Sequence, residues 1–104
     1  MLYLHASIKV QPFRSAEFIR TLGQSIVPLF EKHGAKLVGS WDTAVGTQGE
    51  ITDIWGFEGM EHFQSTTASL LRDQEWASVK QSVAGLVVEE KTKLLVPLKF
   101  SPLK

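Results

Sequence analysis

Alternating apolar and polar residues predict that the chain begins with a half-buried β-strand. The apolar residues occupy every second position, at Leu2, Leu4, Ala6, Ile8 and Val10. The positions between them carry Tyr3, His5, Ser7 and Lys9. Because successive side chains of a strand point to opposite faces, the two sets separate onto two sides. Gln11 and Pro12 interrupt the pattern and end the strand.

A three- and four-residue spacing then predicts an amphipathic helix, with Ser15 as its N-cap. Its apolar stripe consists of Ile19, Leu22, Ile26, Leu29 and Phe30. Pro28 lies inside this stripe and has no amide hydrogen to donate to the carbonyl of Gln24, so we expect a kink or break there. Gly34 directly follows His33 and is expected to end the helix.

The rest of the chain predicts a hairpin, two further helices and a last strand. The hairpin strands cover residues 35–45 and 50–57, with Leu37, Gly39 and Trp41 on one face of the first. Helical spacing recurs in two stretches, which we predict as a longer and a shorter helix with Asp73 as the cap of the second. Residues 86–98 form the last strand, which Pro97 ends.

This order of elements is the split βαβ, or ferredoxin-like, arrangement. Right-handed crossovers give a four-stranded antiparallel sheet with strands in the order 4-1-3-2 and the helices on one face. We therefore predict one α+β domain over residues 1–104. Its helix-free face is expected to carry Tyr3, His5 and Ser7. An open face that also exposes aromatic residues, here Trp41 or Trp55, needs a partner, and a second copy of the chain in an isologous homodimer is the simplest one.

Composition and charge exclude several classes of function. Eleven basic and eleven acidic residues give a net charge of zero, so we expect neither nucleic acid nor a membrane surface as a partner. The absence of cysteine excludes disulfides, thiolate metal sites and cysteine nucleophiles. The N-terminus lacks the basic segment of a signal peptide, and no apolar run approaches the roughly 20 residues of a membrane span. We expect a cytoplasmic protein.

His5 and Asp53 are the candidate catalytic residues. His5 lies mid-strand on the expected open face, where it could act as a general base, orient a ligand, or simply form a hydrogen bond across an interface. Asp53 shares a face with Trp55, and a carboxylate beside tryptophan in a partly dry cavity has a raised pKa. Asp53 could meet His5 on the neighbouring strand if the two share a side of the sheet. Ile51 and Phe57 lie on the side of Asp53, which leaves open that this side is the core.

The other polar motifs favour structural roles. His33 precedes the end of the first helix, where the helix dipole favours a cation. His62 falls in the first turn of the next long helix and is expected to be solvated. The three histidines lie on different elements without the spacing of metal ligands, and the turn at residues 46–49 lacks the spacing of a phosphate loop. We predict no metal and no cofactor.

Three segments resemble the NIPSNAP family. Residues 32–41, KHGAKLVGSW, resemble the family's KHG-x-KLVG-x-W stretch. Residues 53–57, DIWGF, resemble its next strand, and residues 70–76, LLRDQEW, resemble its L-x-x-D-P-E-W segment. Gln74 replaces the usual proline of the last motif, and Asp53 lies where many members carry histidine.

The resemblance implies a dimeric α/β barrel, in which two sheets close against each other. That wider group includes cofactor-independent monooxygenases, haem-degrading enzymes and proteins without a known activity, so the fold does not fix the function. Our main hypothesis is a homodimer that binds a small, partly apolar molecule through Tyr3, His5, Ser7, Trp41 and Trp55. The alternatives are a cofactor-independent monooxygenase or isomerase and a protein-interaction module without a pocket. An enclosed cavity with convergent polar groups would favour the first two hypotheses over the third.

Overall fold

The computed structural model describes all 104 residues. The strands are β1 (Leu2–Val10), β2 (Lys36–Asp42), β3 (Glu50–Phe57) and β4 (Val87–Leu95). The helices are α1 (Ser15–Thr21), α2 (Val27–Lys32), α3 (Met60–Leu71) and α4 (Gln74–Val83), with a π-helical segment (Leu22–Ile26) between α1 and α2. The strands form one antiparallel sheet in the order β2-β3-β1-β4, which confirms the predicted ferredoxin-like α+β fold. None of the helices is long and apolar enough to cross a membrane.

The core lies between the helices and one face of the sheet. The even-numbered residues of β1 face the helices, as their alternation predicts. Ala6, Ile8 and Val10 belong to the larger core cluster, together with Phe18 of α1 and residues of the π-helical segment and α4. A smaller cluster at the other end of β1 consists of Leu2, Ala35, Trp55 and Phe57.

Pro28 does not break the first helical stretch, and the irregularity expected there takes the form of a π-helical segment directly before it. Helical residues run without interruption from Ser15 to Lys32. At the end of the π-helical segment the amide of Val27 donates to the carbonyl of Leu22, five residues back. This wider turn places Pro28 in the first turn of α2, where a missing amide hydrogen breaks no helical bond. The predicted cap is wrong, because Ser15 is itself the first helical residue and no side chain caps α1.

A β-bulge in β2 changes the predicted faces of this strand. The register with β3 shifts between Leu37 and Gly39, so Leu37 pairs with Trp55 while Gly39 pairs with Ile54. Leu37 packs against the smaller core cluster, whereas Gly39 and Trp41 face away from the helices. The prediction that these three residues share a face is therefore wrong for Leu37. The bulge inserts one extra residue, which a strict period of two does not anticipate.

Gly34 ends α2 as predicted, with a left-handed φ of 105°. A Cβ at this position would lie 3.0 Å from Nε2 of His62 and 3.2 Å from Oγ1 of Thr66. The glycine therefore allows both the left-handed turn and the close approach of α3 to the end of α2.

The end of the chain covers part of the open sheet face. Strand β4 ends at Leu95, earlier than predicted, and two residues before Pro97. The segment that follows lies over Tyr3 and Ile54 and forms a shallow apolar depression with them. Tyr3 is only 7% exposed for this reason, although it points away from the helices.

Candidate functional site

A cavity of about 450 Å³ lies between the sheet and the helices. Its walls come from β1, β3 and β4, from all four helices and from the π-helical segment. Most of the lining is apolar, and the polar lining residues are Asp53, Thr67, Lys80, Glu90 and Thr92. An apolar cavity with a few placed polar groups is the usual form of a small-molecule site, so it is the candidate functional site.

Aromatic side chains form much of the cavity wall. The ring of Phe30 lies 4.9 Å from that of Trp55 and 5.1 Å from that of Trp76, measured between centroids. Trp55 is 1% exposed, and Trp76 is half-buried and packs against the larger core cluster. Phe30, Trp55 and Trp76 belong to α2, β3 and α4 respectively, so the wall is fixed by three elements rather than by a loop.

Asp53 is the only buried carboxylate in the chain, with an exposure of 2%. The hydroxyl of Ser40 donates to its Oδ1 over 2.5 Å, and Oδ2 has no partner. Burial raises the pKa of the Asp53 carboxyl, and the hydrogen bond from Ser40 opposes this effect more weakly. Asp53 therefore takes up a proton more readily than an exposed aspartate, a property typical of groups in functional sites.

The bulge in β2 explains how Ser40 reaches Asp53. Beyond the bulge, Ser40 is paired with Asp53 in the register of β2 and β3. Without the inserted residue, the alternation would place the hydroxyl on the other face of the sheet. The irregularity in the strand thus supplies the one hydrogen bond of the buried acid.

The cavity opens between α4 and β4. Its exposed lining residues all belong to this side of the molecule, and they are Lys80, Ala84, Glu90 and Thr92. No helix covers β4 on this side, and every residue of the strand except Val87 is exposed. A ligand would therefore enter past the charged side chains of Lys80 and Glu90.

The two candidate catalytic residues are not brought together. His5 is paired with Ile54 and Asp53 with Ala6, so the side chains of His5 and Asp53 point to opposite faces of the sheet. Trp55 lies on the same side as Asp53 and lines the cavity rather than joining the open face.

The remaining predicted ligand-binding residues lie on the open face. Tyr3, His5 and Ser7 alternate along β1 on the side away from the helices, as predicted. Trp41 joins them from β2 with an exposure of 53%. Its ring lies over Gly39, where a Cβ would collide with it. None of these four residues lines the cavity.

A hydrogen-bonded group around His33 was not predicted from the sequence. Its Nδ1 lies 2.5 Å from the hydroxyl of Ser69, and its Nε2 lies 2.7 Å from Oδ2 of Asp73. Asp73 caps α4 as predicted, because its other oxygen accepts from the amide of Glu75. The hydrogen bond with His33 and that cap lower the pKa of Asp73. The group fastens the end of α2 to the junction of α3 and α4. Serine, histidine and aspartate are also the residue types of a catalytic triad, but Ser69 lies inside a helix whose amides are already bonded, so no amide is free to stabilise an oxyanion.

His62 also has a structural role that differs from the predicted one. It is half-buried, and its Nδ1 accepts from the amide of Glu58 over 3.0 Å, just before α3 begins. Its ring stands edge-on to that of Phe57 at 5.5 Å. His62 therefore bonds the backbone of the turn between β3 and α3 instead of being solvated.

The fold and the cavity define an α+β protein of the ferredoxin-like class with a candidate small-molecule site. The family model for NIPSNAP matches residues 3–102, nearly the whole chain. The chain belongs to the NIPSNAP family.

Solved structures support the same fold. An uncharacterised NIPSNAP domain protein from Burkholderia xenovorans aligns over 98% of this chain and 99% of its own, with 20% identity and a TM-score of 0.91. A NIPSNAP family protein of unknown function from Agrobacterium tumefaciens aligns over 100% and 94%, with 23% identity and a TM-score of 0.92. A candidate antibiotic biosynthesis monooxygenase from Nitrosomonas europaea aligns over 94% and 99%, with 10% identity and a TM-score of 0.72. At these identities the likeness concerns the fold alone. The comparison with curated proteins found no similar sequence.

Proposed function

We propose that this protein is a homodimer that binds a small, partly apolar molecule in the cavity between sheet and helices. The observation that carries the proposal is the single buried carboxyl group, Asp53, in the wall of a mostly apolar cavity. A buried carboxyl that lacks a cationic partner destabilises a fold, because desolvation disfavours its charged form. A binding role for the unpartnered oxygen explains why such a group lies there.

The size and lining of the cavity suit such a ligand. Its volume falls within the roughly 300–1,000 Å³ that is usual for small-molecule pockets. The rings of Trp55, Trp76 and Phe30 would contact the apolar body of the ligand, while Asp53 and Thr67 would hydrogen-bond to its polar group. An open cavity of this kind argues against a module without a pocket.

In this proposal the open sheet face is the dimer interface. Trp41 is 53% exposed on that face, and Thr52 and Ser7 lie beside it on the neighbouring strands. His5, Ser7 and Trp41 then contribute to assembly, whereas Tyr3 lies beneath the C-terminal segment of its own chain. Trp55 alone of the predicted ligand-binding residues contacts the ligand. A cytoplasmic location remains a prediction from the sequence.

Light scattering after gel filtration tests the dimer. We expect about twice the chain mass for the wild type and a single chain mass for Trp41→Lys, because the variant replaces an exposed aromatic ring of the open face with a charge. Val45→Lys is the matched control, since Val45 is 95% exposed in the hairpin turn, and it should remain dimeric. A monomeric wild type at micromolar concentration would contradict the dimer, and a dimeric Trp41→Lys would show that another surface is used.

Binding of N-phenyl-1-naphthylamine tests the cavity. This neutral dye fluoresces in apolar sites and accepts energy from tryptophan, so binding beside Trp55 and Trp76 should give energy transfer. Thr67→Phe should abolish the transfer because the larger side chain fills the cavity. Ser65→Phe adds the same group on the exposed side of α3 and should leave the transfer unchanged. Equal dye binding by the two variants would show that the dye lies elsewhere.

A cofactor-independent enzyme is the second candidate function. The raised pKa of Asp53 favours it, because a carboxyl poised to exchange a proton in a dry cavity is suited to general acid–base chemistry. In such a monooxygenase or isomerase Asp53 would act as the base, and His5 would have no part, because it lies across the sheet.

A further inference from the structure

One oxygen of the Asp53 carboxyl has neither a hydrogen-bond donor nor a cation beside it. Ser40 supplies the only hydrogen bond to the carboxyl, through Oδ1. No lysine, arginine or histidine forms a salt bridge with Asp53, since the residues paired with acids in this structure are Arg14, Lys32, His33 and Lys91. A carboxyl that is almost fully buried therefore presents Oδ2 to the cavity without a donor or a cation.

The aromatic wall around this acid suits a cation. The ring of Phe30 lies 4.9 Å from that of Trp55 and 5.1 Å from that of Trp76, and all three line the cavity. The face of an aromatic ring carries partial negative charge and attracts cations, most strongly for tryptophan. Lys80 already uses one of these rings, because its Nζ lies 6.0 Å from the centroid of Trp76.

The charged residues at the opening between α4 and β4 do not change the preference of the cavity for a cation. Lys80 and Glu90 are the only other lining residues that carry charge, and both are exposed to solvent. They have opposite signs, and water screens them, so their effects on an incoming charge largely cancel. The interior is thus left with one acidic group and a set of electron-rich rings.

We propose that the cavity is an amine site, whose ligand is a small aromatic or aliphatic molecule bearing one primary or secondary ammonium group. The inference rests on the proposed function and names the ligand class. The ammonium group donates to Oδ2 of Asp53, and the apolar body packs against Trp55 and Phe30. Asp53 is 2% exposed, so its carboxyl loses less water on binding than an exposed carboxylate would. Cation–π contacts with the tryptophans offset part of the desolvation of the ammonium.

Three naphthalene derivatives with one body and different polar groups test the ligand class. They are 1-naphthylmethylamine, 1-naphthalenemethanol and 1-naphthoic acid, each used to displace N-phenyl-1-naphthylamine from the wild-type protein. We expect the amine to displace the dye at a concentration on the order of tenfold lower than the alcohol, because the hydrogen bond to Asp53 becomes charge-assisted. The acid should be the weakest of the three, since its carboxylate faces that of Asp53.

Two variants that each replace one carboxylate with an amide separate the effect of the site from that of the protein's net charge. Asp53→Asn should remove the advantage of the amine over the alcohol. Glu89→Gln removes an exposed acid on the opposite face of β4 and should keep that advantage. If the dye binds but the alcohol or the acid equals the amine, the amine site is wrong while the cavity proposal stands. If neither the dye nor any of the three compounds binds, the proposed function itself is wrong.

Discussion

Replacing Trp55 with alanine is expected to lower the free energy of unfolding by about 3–5 kcal/mol. The side chain is 1% exposed and belongs to the smaller core cluster, beside Leu2, Ala35 and Phe57. The space it leaves would join the existing cavity, so the surrounding elements could not close over it. Lost transfer energy and a persistent void then act together.

Urea unfolding followed by circular dichroism measures this loss. Trp55→Phe is the matched control, because it keeps an aromatic ring against Phe30 and should destabilise the protein much less. A loss of under about 1 kcal/mol for the alanine variant would mean that the ring does not anchor the core. Such a result would also remove the fixed aromatic wall from the proposed site.

The fold could be predicted because its strongest patterns lie in the elements that determine it. Strand β1 alternates over nine residues, and it is the central strand that pairs with both β3 and β4. Once its apolar face is assigned to the helices, the connections leave only one reasonable strand order. Gly34 and Asp73 mark their helix ends by side-chain chemistry that acts locally, so these ends were predicted correctly.

The orientation of β3 was left open because an aspartate lies on its more apolar face. That face carries Ile51, Asp53, Trp55 and Phe57, whereas Ile54 is the one large apolar residue on the other. Pairing with β1 decides the matter, because Ala6 of the buried face lies opposite Asp53. The cavity site depends on this register, and so does the separation of Asp53 from His5.

Long-range partners account for the other omissions. His33 lies 36 and 40 residues from Ser69 and Asp73, and no local pattern links them. The contact of Ser40 with Asp53 depends on a bulge that leaves no mark on the hydrophobic pattern. Sequence reasoning therefore identified Asp53 as a candidate but could not supply its hydrogen-bond partner.

Asp53→Asn is expected to raise the melting temperature at neutral pH. Because burial raises the pKa of Asp53, the folded state binds the proton more tightly than the unfolded state. Between the ordinary value of 3.8 and the raised value, the folded protein holds more protons, so its stability falls as pH rises. Above the raised value the full destabilisation persists. Asparagine carries no charge and still offers an oxygen to the hydroxyl of Ser40, so the variant escapes this loss.

The difference in melting temperature between wild type and Asp53→Asn should depend on pH if the charge of the buried carboxyl is the cause, and should not if the cause is packing. Thermal unfolding of wild type and Asp53→Asn should converge below pH 3.8, where both states of the wild type bind the proton, and diverge as pH rises. Ser40→Ala should raise the pKa of Asp53 further, because it removes the hydrogen bond that opposes the effect of burial. The loss of stability with rising pH should then extend to higher pH than in the wild type. A constant difference at every pH would show that the carboxyl is not destabilised by its burial. If Asp53→Asn is more stable than the wild type and binds amines more weakly, Asp53 is a group retained for binding at the expense of stability.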